Sequence, residues 1–173
     1  MWVQDDGGRQ AAGFKGHTGD CVVRAIAIAI AGELPYAEVY EALHRAALAD
    51  PTLRRKLERR YGARAALHAS PRAGVPRRVY DRYLADRGWT WTPTMRIGQG
   101  CTVHLRAEEL PGGRLVVRVT RHLCAVIDGV IHDTHDPSRE GTRCVYGYWS
   151  SLEVLSPHSD ADQLQLVQPP RAR

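Results

Sequence analysis

Lysine is nearly missing from this 173-residue chain: Lys15 and Lys56 are its only two, and arginine carries almost all of the formal net charge of +5. That bias can follow from base composition alone. The clusters Arg54-Arg55-Lys56, Arg59-Arg60 and Arg77-Arg78 fall on segments that read as helices, which favours solvated faces over a nucleic-acid footprint. Long apolar runs are also missing. The longest, Val22 to Ala31, is broken by Arg24 and is too short to span a bilayer, so no membrane span is expected. The first residues carry Asp5 and Asp6 and lack the charged-then-apolar layout of a signal peptide, which points to a cytoplasmic protein. Cys21, Cys101, Cys124 and Cys144 follow no disulfide-framework spacing, and reduced thiols are the expectation. No Cys-x-x-Cys or helical His-x-x-x-His occurs, and in a strand His132 and His135 would point to opposite faces. No metal and no cofactor are therefore expected. There is no internal repeat, and nothing in the residues sets an oligomeric state.

What is present is a change of texture halfway along the chain. Residues Met1 to Lys15 are polar and glycine-rich and read as a lead-in over the surface. A helix is predicted from Cys21 to Gly32, apolar on all sides and therefore buried. A second begins at Pro35-Tyr36, with Val39, Leu43, Ala46 and Ala47 on one face. Further helices are predicted over Thr52 to Arg60 and Pro76 to Asp86. From Trp89 onward the residues alternate and become β-branched. Strands are expected at Trp89 to Thr92, Arg114 to Val119, Leu123 to Ile127, Val130 to Thr134 and Arg143 to Trp149, with one helical turn at Arg106 to Leu110. Asp128-Gly129 between two apolar runs is a hairpin signal. Helices first and strands afterwards predict one α+β domain over residues 1–155, in which a buried N-terminal helix packs on a C-terminal antiparallel sheet. Residues 156–173 form a polar, flexible tail in this reading.

One pair of segments carries chemistry. Cys21 stands where a glycine-bearing turn enters a helix, and the positive end of the helix dipole there favours thiolate over thiol. His122 opens the hairpin and can serve as its base. A two-residue Asp128-Gly129 turn puts Cys124 opposite Asp133 and His122 opposite His135, all four on one face. Asp133 is then a diagonal neighbour able to accept the His122 Nδ1–H. Asp136, on the other face, is the second choice for the acid. Arg24, one helical turn past Cys21, can favour the thiolate or pair with Asp20. Backbone N–H groups at the helix start are the expected oxyanion donors, with Thr18, Gly19 and Asp20 as further oxyanion or substrate contacts.

The segment Thr18-Gly19-Asp20-Cys21-Val22-Val23-Arg24-Ala25 resembles the nucleophile segment of papain-like cysteine peptidases, above all that of the ovarian-tumour type deubiquitinases. The later His122 and the acid on the following strand are similar to the order of Cys, His and Asn or Asp in that superfamily. The resemblance covers about thirty residues. It implies a papain-like fold and hydrolysis of a peptide or isopeptide bond in a protein or peptide substrate, by way of an acyl-enzyme and a Cys21–His122–Asp133 triad. It also implies an upstream glutamine for the oxyanion; here Lys15 occupies that neighbourhood and Gln10 stands further off. Two other classes fit the same residues: a catalytically silent domain that binds a partner protein through its arginine-rich helices, and a transglutaminase-like acyl transferase. A nucleic-acid binder is the least favoured reading.

Overall fold

The structure is a computed structural model that describes residues 1–16, 19–31 and 33–151. Among the described residues it contains four α-helices, three short 3₁₀ segments and one six-stranded mixed sheet. The helices are α1 (Cys21–Ala29), α2 (Tyr36–Ala49), α3 (Pro51–Tyr61) and α4 (Arg77–Ala85). The strands are β1 (Trp2–Gln4), β2 (Trp89–Pro93), β3 (Arg114–Val119), β4 (His122–Ile127), β5 (Val130–Asp133) and β6 (Val145–Ser151). Their spatial order is β1-β5-β4-β3-β6-β2, and every neighbouring pair is antiparallel except β1 with β5.

Strand β3 explains the layering. Its consecutive residues Val116 and Val117 are both fully buried, yet they belong to different cores because successive side chains leave opposite faces of a strand. On one face Val116, Leu123, Ala125 and Trp149 pack with Val23, Ile26 and Ile28 of α1, with Ile30 just past its end, and with Leu43 of α2 and Leu84 of α4. On the other, Leu115, Val117, Val119, Cys124, Val126 and Val145 are covered by Leu105 and Leu110 rather than by helices. Helix α1 is buried from Val22 to Ala29, as its all-round apolar sequence requires. Its C-terminal carbonyls are met by the Arg114 guanidinium, 3.2 Å from Ile28 O and 3.4 Å from Ala29 O, which ties the helix to β3 with a cation at the negative dipole end.

The sheet departs from the expected antiparallel one through β1: residues 1–15 lie over the surface, as expected, but three of them form an edge strand. Trp2, Val3 and Gln4 pair in parallel with Ile131, His132 and Asp133, and the Asp5 N–H donates to the Asp133 carbonyl at 2.9 Å. Behind this strand Gly7 (φ 65°) lies so close to α1 that a Cβ would sit 3.1 Å from the Arg24 carbonyl oxygen. So short a strand carries little periodicity of its own; the open edge of β5 is what makes it a strand. The reduced-thiol expectation fails for one pair, since Cys101 and Cys144 form a disulfide while Cys21 and Cys124 are free. The bond becomes possible because His104 bridges Cys144 and the Val145 N–H donates to Val103 O at 2.9 Å, bringing two distant stretches side by side. Helix α1 ends at Ala29; Gly32, its expected cap, and the tail from 156 lie outside the described residues.

The hairpin matches its expected register, with Ile127 opposite Val130 and Ala125 opposite His132. Asp128 and Gly129 both have positive φ (48° and 79°), the geometry that a two-residue turn needs to follow the strand twist. The basic clusters are partly neutralised: Arg78 pairs with Asp50 at 2.7 Å, Arg77 with Asp81 at 3.0 Å and Arg54 with Glu58 at 3.6 Å.

Candidate active site

Three element ends meet at one end of the inner strands β4 and β5. Cys21 is the first residue of α1, His122 the first of β4 and Asp133 the last of β5. Cys21 and His122 are each partly buried, and Asp133 is buried at 3% exposure. The Asp133 Oδ2 hydrogen-bonds the His122 Nε2. The ring nitrogen used is therefore Nε2, not the Nδ1 expected from the hairpin alone, and Nδ1 stands outside that bond. The imidazole is close enough to the thiol for each to shift the other's pKa toward the charged form.

Burial opposes ionisation of Cys21, but the His122 imidazole, the Leu123 backbone N–H and the Arg24 charge outweigh it and hold the thiol below its ordinary pKa. Burial likewise disfavours the charged form of His122, yet its bonds to Asp133 and to Cys21 raise it to about 9. Asp133 is lowered despite its burial, through His122, the Thr134 N–H and Arg24. All three directions favour one arrangement: thiolate, imidazolium and carboxylate in a row.

A second row of charges stands behind the first. Arg24, 8% exposed, sends one nitrogen to Asp20 Oδ1 and another to within 3.5 Å of Asp133 Oδ1. Asp20 has no solvent exposure; it also accepts from Arg9 Nε at 2.8 Å and from the Tyr36 hydroxyl at 2.6 Å. Arg9 in turn binds the carbonyls of Phe14, Lys15 and Gly16, the stretch of chain leading toward Cys21. Asp20 is thus enclosed by its partners and is not a substrate contact. Arg24 fills both roles open to it, as partner of Asp20 and as a cation near the thiol.

The Gly19 N–H is spent on the Arg72 carbonyl at 2.9 Å, and a Cβ there would lie 3.3 Å from the same oxygen. Gly19 therefore docks the turn on the 71–74 segment and does not serve an oxyanion. The N–H groups of the first α1 turn have no carbonyl four residues back within the helix, and that of Cys21 is the first of them. Thr18 and His17 lie outside the described residues. Asp136 is exposed and accepts from the Ser138 N–H at 2.8 Å, so it closes a local turn while Asp133 takes the imidazole. Sequence reasoning missed Arg9 and Tyr36. No pattern marks either, because they reach Asp20 only through tertiary folding.

Among the aromatic residues of the sheet, Trp89 and Trp149 are core. Trp91 and Tyr146 line a surface groove with Arg77 and Arg118, whose guanidinium groups sit 4.8 Å and 5.3 Å from the two ring centres. Exposed His135 stands beside the site, its ring 5.1 Å from that of His122. His122, Asp133 and His135 each offer a metal-ligating atom, and these atoms lie within 4.8 Å of one another.

The fold and site define an α+β protein with a cysteine, a histidine and an aspartate gathered at a helix start and one end of two inner strands. No protein family, no curated protein and no solved structure matches the chain. Among the described residues no helix is long and apolar enough to cross a membrane.

Proposed function

We propose that the chain is a cysteine hydrolase of papain-like architecture that cleaves a peptide-type bond through an acyl-enzyme. The observation that supports this most is the gathering of Cys21, His122 and Asp133 at three meeting element ends, with the His122–Asp133 hydrogen bond in place and pKa directions that favour an ion pair. In this reading the Cys21 sulfur attacks the carbonyl carbon while the Cys21 N–H donates to the developing oxyanion. The His122 imidazolium gives its proton to the departing amine, and the carbonyl carbon stays on sulfur as a thioester. His122 then takes a proton from water, the hydroxide displaces the thiolate, and the acid product leaves. Asp133 holds the ring so that one nitrogen always faces the sulfur. Arg24 and Asp20 act behind it, as positioning residues.

The Cys101–Cys144 disulfide favours a compartment that tolerates oxidised cysteine over the cytoplasmic setting expected from composition.

Iodoacetamide at pH 6.5 tests the reading. Cys21 is expected to react well ahead of Cys124, and its alkylation should abolish turnover of a quenched peptide library. Equal or absent labelling of Cys21 would overturn the reading and leave a partner-binding domain. Product analysis with an added amine then separates hydrolysis from acyl transfer.

A further inference from the structure

We propose that His122, Asp133 and His135 form a binding site for a Zn²⁺-class dication, and that its occupancy silences the thiol. The site follows from geometry; the silencing rests on the hydrolase reading above. Two imidazoles and one carboxylate are the donor set that suits zinc, whereas calcium and magnesium require oxygen ligands throughout. Ligand atoms around a tetrahedral zinc stand about 3.3–3.5 Å apart, given bonds of roughly 2.0–2.2 Å. The three groups span 4.8 Å at most, so closing on an ion needs a shift of about an ångström. His135 can make that shift: it is exposed, it lies beyond the end of β5, and its ring contact is with His122 at an angle of 52° rather than a stack. No hydrogen bond among the described residues holds its nitrogens.

The surroundings of Asp133 support ligation. Its Oδ1 is held by the Thr134 N–H at 2.7 Å and faces Arg24 at 3.5 Å, so the carboxylate is oriented from behind while Oδ2 points at His122. Binding replaces the Asp133–His122 hydrogen bond with two bonds to the metal and releases the His122 proton to solvent. The ring's remaining proton is then fixed on Nδ1, so the imidazole can neither take the thiol's proton nor, short of becoming an imidazolate, protonate a leaving amine. Three protein ligands leave a fourth position for water. His132 provides an internal control, because its Nδ1 is 3.1 Å from Asp5 and it takes no part in the cluster.

The test is Zn²⁺ binding by the untagged full chain in competition with a chromogenic chelator, paired with the rate of Cys21 alkylation. One Zn²⁺ per chain is expected, weakened at least about tenfold by His135→Ala and unchanged by His132→Ala. Zn²⁺ should slow Cys21 alkylation in the parent chain and leave the His135→Ala rate untouched. Absence of stoichiometric binding, or equal affinity in parent and His135→Ala, would overturn the site. If Cys21 is unreactive even without metal, the hydrolase reading falls, and the chelator competition still decides the site by itself.

Discussion

Cys21 and Cys124 are the two free thiols of the fold, and their environments push them in opposite directions. Cys124, 1% exposed among Leu115, Val126 and Ile131, is pushed far up by burial, with the nearby Asp133 charge adding to the effect. Cys21 also pays for burial, yet an imidazole, a backbone N–H and a guanidinium reverse the sign. The comparison separates two ideas that a sequence blends. Burial alone makes a cysteine inert packing, while burial next to an organised positive charge makes it a nucleophile.

The largest effect expected from breaking this contrast is at the sulfur itself. Cys21→Ala should reduce peptide turnover by roughly 10⁴-fold or more, whereas Cys124→Ala keeps the rate and lowers stability by on the order of 1 kcal/mol. Steady-state kinetics beside chemical denaturation reads both.

Next comes the imidazole. His122→Ala should return Cys21 toward an ordinary thiol and slow its alkylation at pH 6.5 by at least about tenfold, with Cys124 labelling unchanged. A mass-resolved time course would show an equal Cys21 rate if His122 did not act on the sulfur.

The same pair sets a pH window. The folded His122 pKa is raised to about 9 from an ordinary 6.5, so the stability it contributes is full below 6.5 and is lost as pH rises through 9. Asp133 is lowered, and its contribution is lost on the acid side. The ion pair therefore exists from below the ordinary thiol pKa up to about pH 9. The pH profile of kcat/KM should fall on its alkaline side near 9, and a basic limb at 6.5 would contradict the assignment.

The smallest effect is expected at Arg24→Lys, which keeps the charge near Cys21 but loses the fork that joins Asp20 to Asp133. Thiol reactivity should stay within about threefold, and thermal unfolding should report a loss of about 1–3 kcal/mol.

The parts of this arrangement that local residues dictate were legible in advance. The Asp128-Gly129 turn sets which side chains of β4 and β5 face together, and that register brought His122, Asp133 and His135 into one group before any fold was known. The helix-start position of Cys21 was equally plain. The choice of Nε2 was not, because it depends on where α1 lies over the sheet. The network of Arg9, Asp20 and Tyr36 and the Cys101–Cys144 bond were also out of reach, since each joins segments with no shared periodicity. Strand β1 was misread for the same reason: three residues in isolation carry no signal that a distant edge awaits them.

That edge has a consequence for how the protein is made. Residues 2–4 leave the ribosome before the hairpin strand that will receive them, and at 5–20 residues per second the delay is on the order of ten seconds. During that interval the exposed Trp2 and Val3 must find no other strand. Parallel pairing of this reach is slow to form, so renaturation from denaturant should favour dilute conditions, and crowding of nascent chains would select for aggregates built on this segment.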